Sequence, residues 1–268
     1  MNRITRAAIT VPVVGLTALL ASAGPAAAAE GSAQADLTPV PVNPVNASGR
    51  GEVEISGTTL SFSLAAQGLL AGAPHAAHIH FGESARNECP TASDNNAAPL
   101  PGESDPHEHF TTTEGAPAYG EIVVSLTTTG DTSPSSGLAV DRFPVGDHFE
   151  YSRGDVQVSE EVAQAILSGK AVVVIHGVDY DGDGTYSAGD RGVSDLDPSL
   201  PGEATDPALC GVLNASQVST QPVGAVAAGD GSSSADGGSA LPYVLGGLGL
   251  TAAGGAAFAA RRSSRATA

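Results

Sequence analysis

Residues 52–64 read EVEISGTTLSFSL, and this stretch decides the fold class. Apolar and polar residues alternate over Glu52–Ser56 and again over Thr59–Leu64, on either side of Gly57 and Thr58. An alternation of period two places one face of a strand on a core and the other face in solvent. The stretch therefore predicts two antiparallel strands joined by a tight turn.

Short runs of the same kind recur further along the chain, between loops rich in Gly and Pro. These strand candidates are Ala77–Phe81, Tyr119–Thr127, His148–Val158, Ala171–Val178 and Ala208–Leu213. Only Ser159–Ser168 has a helical pattern, with Ser159 as a capping residue and two glutamates in the first turn. Many short strands separated by turns predict an all-β antiparallel sandwich or barrel with one short helix.

The charge of the chain limits its partners. The 268 residues include Lys+Arg 11 and Asp+Glu 29, for a formal net charge of -18. All of the acidic residues lie between Glu30 and Asp236. Because such a surface repels phosphate backbones, we expect no nucleic-acid partner.

The N-terminal end has the pattern of a targeting segment. Arg3 and Arg6 precede an uncharged, partly apolar run that leads to three alanines at residues 27–29. This order is typical of a cleaved signal peptide, which we assign to residues 1–29, with an uncleaved membrane helix as the alternative. Residues 30–50 are rich in Pro and Ala without a period, and we expect them to form a flexible lead.

The C-terminal end predicts an anchor. Residues 241–260 carry no charge and are long enough to cross the lipid bilayer as a helix, and the basic tail 261–268 follows them. Residues 219–240 are rich in Gly and Ser, which predicts a stalk. A folded domain over residues 51–218 would then sit on the extracellular face of the membrane. The alternative is a low-complexity tail outside the membrane.

The chain has only two cysteines, Cys89 and Cys210. A signal peptide implies an oxidising compartment, where one intramolecular disulfide is the expected pairing and two free thiols the alternative. The bridge would close a loop of about 120 residues, worth roughly 4 or 5 kcal/mol in the chain-entropy account.

Several histidines are candidates for a metal site. In a strand, residues two apart share a face, so His78 and His80 form a chelating pair suited to copper or zinc. His176 ends a buried apolar strand, where the alternative is a histidine that is simply hydrogen-bonded. His107 and His109 lie in a loop rich in Pro and Asp, where they either chelate or stay solvated.

These landmarks resemble those of the copper/zinc superoxide dismutases and of the related CHRD (chordin-like) modules. The resemblance covers about Glu52–Leu213 and implies an eight-stranded Greek-key β-sandwich. It also implies copper ligands at His78, His80 and His176, and a disulfide between the two cysteines.

The chain departs from the dismutase pattern at three points. Asn95 stands where the enzymes have a bridging histidine, so His107 or His109 would have to substitute for it. The zinc ligands have no clean counterpart. Pro207 stands where the enzymes have an arginine that attracts the superoxide anion, which puts dismutation in doubt.

Residues 179–190 read DYDGDGTYSAGD and match the template of a calcium loop, with Asp in place of the usual terminal Glu. The predicted calcium ligands are Asp179, Asp181, Asp183, Thr185, Ser187 and Asp190. A bound ion would order the segment that follows. The alternative is an acidic surface turn.

Two functions follow from these patterns. The first is an extracellular, membrane-tethered copper-binding module of the superoxide dismutase-like fold, with superoxide as a candidate substrate. The second is a calcium-stabilised CHRD-like scaffold or adhesion module without catalysis, which binds an extracellular protein partner.

Overall fold

A computed structural model describes residues 28–96 and 102–216. The described residues form nine strands, three short α-helices and three 3-10 turns. The strands are β1 (Glu30–Pro39), β2 (Ser48–Ser56), β3 (Thr59–Gln67), β4 (Ala77–Phe81), β5 (Glu121–Ser125), β6 (His148–Gln157), β7 (Val172–His176), β8 (Pro207–Val212) and β9 (Asn214–Ala215). The helices are α1 (Thr112–Tyr119), α2 (Glu160–Leu167) and α3 (Gly202–Thr205), and the 3-10 turns are Ala92–Asp94, Pro134–Ser136 and Val140–Arg142.

All strand pairs are antiparallel, and they form one hydrogen-bonded path in the order β5-β4-β7-β8-β1-β2-β3-β6, with β9 added beside β1. Strand β1 joins the two halves, because Glu30–Leu37 pairs with β2 while Thr38 and Pro39 pair with β8. The chain passes from one half to the other between β3 and β4, returns between β5 and β6, and passes across again between β6 and β7. The predicted all-β class is confirmed, although the sheet has nine strands, the eight of the path and β9, where eight were expected.

The hairpin predicted from residues 52–64 is confirmed as β2 and β3. Ser56 pairs with Thr59, and Gly57 takes the positive φ of +63° that the tight turn requires. The apolar residues of the alternation, which include Ile55 and Phe62, face the core, while the polar residues between them are exposed or half-buried. The alternation of apolar and polar residues therefore predicted the buried face of β2 and β3 correctly.

The predicted flexible lead over residues 30–50 is wrong. Its first ten residues form β1, and Ala33, Ala35 and Leu37 are buried by alternation. The alternation escaped notice because two of its three inward side chains are alanines, which bury little surface and give a weak pattern.

The expectation of a single helix is also wrong. The Ser159-capped helix is present as α2, whose cap accepts a hydrogen bond from the Val162 amide. Helix α1 was missed because Pro117 lies within it, although Thr111 and Glu114 form a capping box at its start. Helix α3 has only four residues, too few for a periodic pattern.

The predicted disulfide is confirmed. Cys89 and Cys210 are bonded, with their Cα atoms 5.7 Å apart, and the bridge links the segment after β4 to β8. The bridge belongs to a small buried cluster that also contains Phe110, Tyr119 and Val174. This cluster lies on the face of the sheet opposite the main core, since Val173 and Ile175 of the same strand belong to the main core.

No helix of the described ranges is both long and apolar enough to cross a membrane. The proposed transmembrane segment 241–260, the tail 261–268 and the stalk from residue 219 lie outside the described residues. So does the signal peptide, apart from residues 28 and 29. These assignments stay predictions.

Candidate metal centre

The centre is built where β4 and β7 run side by side. His78 pairs with Val174 in the antiparallel register, and the His176 amide donates to the Ala76 carbonyl at 2.8 Å. Since Ala77 and Ile79 face the main core, His78 and His80 point to the opposite face of the sheet. The same alternation along β7 turns His176 to that face.

His78, His80 and His176, here called the histidine cluster, converge on one point. One ring nitrogen from each histidine lies within 4.8 Å of the other two. The ring centroids are 5.1 Å apart for His78 and His176, 5.6 Å for the two β4 histidines and 6.2 Å for His80 and His176. All three side chains are buried.

The outward nitrogen of each ring is held by a backbone carbonyl. His78 Nε2 donates to Gly137 at 2.9 Å, His80 Nδ1 donates to Gly120 at 3.0 Å and His176 Nδ1 donates to Thr205 at 2.6 Å. The three carbonyls come from the C-terminal ends of a 3-10 turn, of α1 and of α3. Carbonyls at helix ends have no intrahelical partner and are free to accept such bonds.

The inward nitrogens are different. His78 Nδ1, His80 Nε2 and His176 Nε2 are buried and have no hydrogen-bond partner. A carbonyl only accepts, so the outward nitrogen of each neutral ring carries the proton and the inward nitrogen carries a lone pair. Three lone pairs thus face one another, and each ring is fixed by the type of bond that orients metal-ligating histidines.

Burial keeps these rings neutral. Loss of solvation lowers the pKa of His80 to about 3 and that of His176 to about 4, and it holds the pKa of His78 well below its ordinary value. A charge on any one ring would also repel a charge on its neighbours. Neutral imidazole is the form that binds a metal ion.

The structure does not bring His107 or His109 to the histidine cluster. His107 is exposed, and His109 is buried with its ring centroid 4.3 Å from that of Tyr180. The Asn95 amide, at the position where the resemblance calls for a histidine, donates to the carbonyls of both residues. Asn95 therefore holds this loop in place.

The acidic loop, residues 179–190, brings two of its six predicted ligands together. Oxygens of Asp179 and Asp181 lie within 4.8 Å of each other and of Glu203 from α3. Asp183 and Asp190, the other two predicted carboxylate ligands, do not belong to this group. Glu203 was missed because nothing in its sequence spacing connects it to the loop.

An arginine lies near the centre in sequence but is engaged elsewhere. Arg191 is buried, and its guanidinium donates to the carboxylate of Asp206 through Nε and, at 2.7 Å, through a terminal nitrogen. Burial raises the pKa of Asp206 to about 7, against the pull of this arginine. The pair ties the segment after the acidic loop to the start of β8.

The comparisons with known proteins identify the family. The CHRD domain model matches residues 27–184, more than half of the chain, and the chain belongs to the CHRD domain family. The match includes all three residues of the histidine cluster and ends before α3 and β8. No curated protein matches the chain.

Among solved structures, the chain is similar to superoxide dismutase 5 of Candida albicans. In its Cu(II) form the identity is 17%, the match covers 70% of this chain and 94% of that one, and the TM-score is 0.34. A single-residue variant of the same enzyme gives 17% identity, 70% and 92% coverage and a TM-score of 0.34.

Proposed function

We propose that this CHRD domain is an extracellular module that binds one copper ion through the histidine cluster. The observation that carries the proposal is the convergence of three buried, partnerless ring nitrogens. Imidazole suits copper and zinc, and three neutral ligands permit copper in either oxidation state. Bound there, copper would supply one-electron redox chemistry.

The energetics favour a ligand over a purely structural role. A buried polar atom without a partner costs about 1–3 kcal/mol, and this cluster would carry that cost at three neighbouring atoms. A histidine that serves only packing is expected to have both of its nitrogens satisfied. A metal ion that accepts the three lone pairs would remove the whole penalty at once.

The confirmed disulfide and the CHRD match support an extracellular location. We propose that the predicted signal peptide exports the chain and that residues 241–260 tether it to the lipid bilayer. The ligand set of the proposal is His78, His80 and His176, without His107 or His109.

Copper binding is the function that the geometry favours, and superoxide chemistry is a separate step. Superoxide is an anion, and the cavity over the histidine cluster is lined by no Lys or Arg of the described residues. Arg191, the nearest arginine after β7 in sequence, is committed to Asp206. The described lining therefore supplies no cationic side chain that would attract superoxide toward the site.

The test is copper stoichiometry. We expect about one copper per full-length chain, and its loss in the double variant His78→Ala/His176→Ala. The double variant His107→Ala/His109→Ala is the matched control and should keep the metal. Wild-type protein without stoichiometric copper, or copper retained by the first variant, would contradict the proposal. Superoxide consumption by the loaded and the metal-free protein then tests catalysis separately.

A second candidate is the calcium-stabilised scaffold, which the approach of Asp179, Asp181 and Glu203 favours. Carboxylate oxygens are the ligands that calcium prefers. Glu203 also accepts hydrogen bonds from the amides of Tyr180 and Ser187, so it already ties the loop to α3. In this proposal calcium would brace an extracellular surface that binds a protein partner.

A further inference from the structure

A cavity of about 370 Å³ opens over the histidine cluster. Its floor includes the rings of the three histidines together with Thr112 and Tyr119, all of which are buried. The floor therefore lies inside the molecule, and α1 contributes two of its side chains. A flat protein surface would reach the rim of such a cavity but would leave its floor empty.

The rim is apolar and exposed. Leu138, Val140 and Leu196 line it with exposures of 37%, 41% and 44%. In the described part of the chain only five large apolar side chains are exposed, and these are three of them. An exposed group of apolar side chains around a concave site marks a place where something binds.

Apart from the three inward nitrogens of the histidine cluster, the polar groups of the floor are already bonded within the protein. The Tyr119 hydroxyl donates to the Thr112 carbonyl at 2.7 Å, and the Thr112 hydroxyl donates to the Thr205 carbonyl at 2.5 Å. The outward nitrogens of the histidine rings are likewise committed to carbonyls. A molecule in the cavity would therefore meet mainly carbon.

The charge of the lining excludes a small anion as the favoured ligand. Glu121 is the one charged residue among the lining side chains that the structure describes. In the metal-free protein, an anion placed here would lose its hydration without gaining a cationic side chain as its partner, which costs several kcal/mol. A neutral apolar molecule has no such cost, and its transfer from water is favourable.

We propose that the cavity binds one small, neutral, apolar molecule, such as a fused aromatic, against the histidine cluster. The inference rests on the proposed function for the role of that cluster, and it names the class of molecule that a copper ion there would meet. A cavity of about 150 Å³ holds benzene, so the space here suits a two-ring molecule.

The experiment titrates the full-length, metal-free protein with 2-naphthol and follows the fluorescence of the naphthol. We expect saturation at one molecule per chain. The variant Leu138→Asn/Leu196→Asn should bind at least tenfold more weakly, because it removes two of the three exposed apolar side chains of the rim. Ala116→Phe, which fills the cavity from α1, should abolish binding.

The matched control is Val145→Asn. Val145 is apolar and 58% exposed but does not line the cavity, so its replacement should leave naphthol binding unchanged. Equal weakening by Val145→Asn, or the binding of several naphthol molecules per chain, would mean general adsorption and overturn the inference. No binding by a folded wild-type chain would overturn it as well.

Copper measured on the same samples separates the two proposals. We expect Leu138→Asn/Leu196→Asn to keep wild-type copper stoichiometry, because neither residue belongs to the histidine cluster. Copper binding without naphthol binding overturns this inference and leaves the proposed function standing. Naphthol binding by a chain that takes up no copper overturns the proposed function and keeps the cavity as an apolar binding site. In the supporting case, naphthol also shifts the electron paramagnetic resonance spectrum of the copper(II) form.

Discussion

The histidine cluster and the acidic loop are both predicted metal sites, yet they are built in opposite ways. In the histidine cluster the inward nitrogens have no partner, and carbonyls from three separate elements hold the rings. In the acidic loop the carboxylates of Asp179 and Asp183 accept hydrogen bonds from amides of the loop itself. The histidine cluster thus holds its metal-binding atoms in place without using them for hydrogen bonds. The acidic loop matches a metal-binding motif, yet its carboxylates already accept hydrogen bonds.

The largest effect is expected from the disulfide that secures the face of the sheet on which the histidine cluster lies. Cys89→Ser/Cys210→Ser should lower the free energy of unfolding by about 4 kcal/mol, because the bridge closes a long loop. Denaturant unfolding of the variant and the wild-type chain measures the difference. A change below about 1 kcal/mol would show that the buried cluster around the bridge holds this face without it.

Removing one predicted ligand from each site tests most directly whether copper binds at the histidine cluster and not at the acidic loop. His80→Ala should weaken copper binding by at least a hundredfold, about 2.7 kcal/mol, while Asp181→Ala should leave it unchanged. Copper titration against a competing chelator measures both affinities. Equal losses in the two variants would mean that copper binds outside the histidine cluster.

The stability of the metal-free protein should depend on pH, because folding changes the pKa of His80 in the histidine cluster and of Asp206 outside it. His80 has a pKa of about 3 when folded and an ordinary value near 6.5 when unfolded, so the unfolded chain binds the additional proton. Its contribution to stability is therefore complete above pH 6.5 and is lost as the pH falls toward 3. Asp206 acts with the opposite sign, because its pKa is raised on folding.

The difference between the wild-type chain and His80→Gln isolates this histidine. In the presence of a chelator, the stability of the wild-type chain should fall more steeply below pH 6, by about 1.4 kcal/mol per pH unit. Urea unfolding at several pH values gives the two slopes. Parallel slopes would show that His80 takes up a proton without unfolding.

The smallest effect is expected at the acidic loop. Millimolar calcium should stabilise the full-length chain by about 1 kcal/mol if the ion binds at a concentration of several times its dissociation constant. Glu203→Gln should remove this gain, whereas Asp190→Asn, at a predicted ligand position outside the group, should keep it. Thermal unfolding with and without calcium measures the stabilisation in each variant. A stabilisation lost only in Asp190→Asn would show that calcium binds through the ligands predicted from the loop sequence and not through Glu203.

Strand geometry explains which parts could be predicted. The alternation in β2 and β3 and the spacing of His78 and His80 were read correctly, because a strand fixes the direction of each side chain. The acidic loop has no such constraint, so its spacing could not say which oxygens meet. Strand β1 was hidden by its alanines, and α1 by Pro117.

The sequence by itself determined the all-β class, the pairing of the two cysteines and the shared face of the β4 histidines. The fold class and the shared face follow from local periodicity, and the disulfide follows because two cysteines allow only one intramolecular pairing. Only the tertiary structure decided that Glu203 meets the acidic loop and that Leu138 and Leu196 line one cavity. It also placed His176 beside His78 and His80, which the family resemblance had implied but the local pattern had not. These contacts join residues distant along the chain, and their formation depends on the packing of strands and loops that no local pattern encodes.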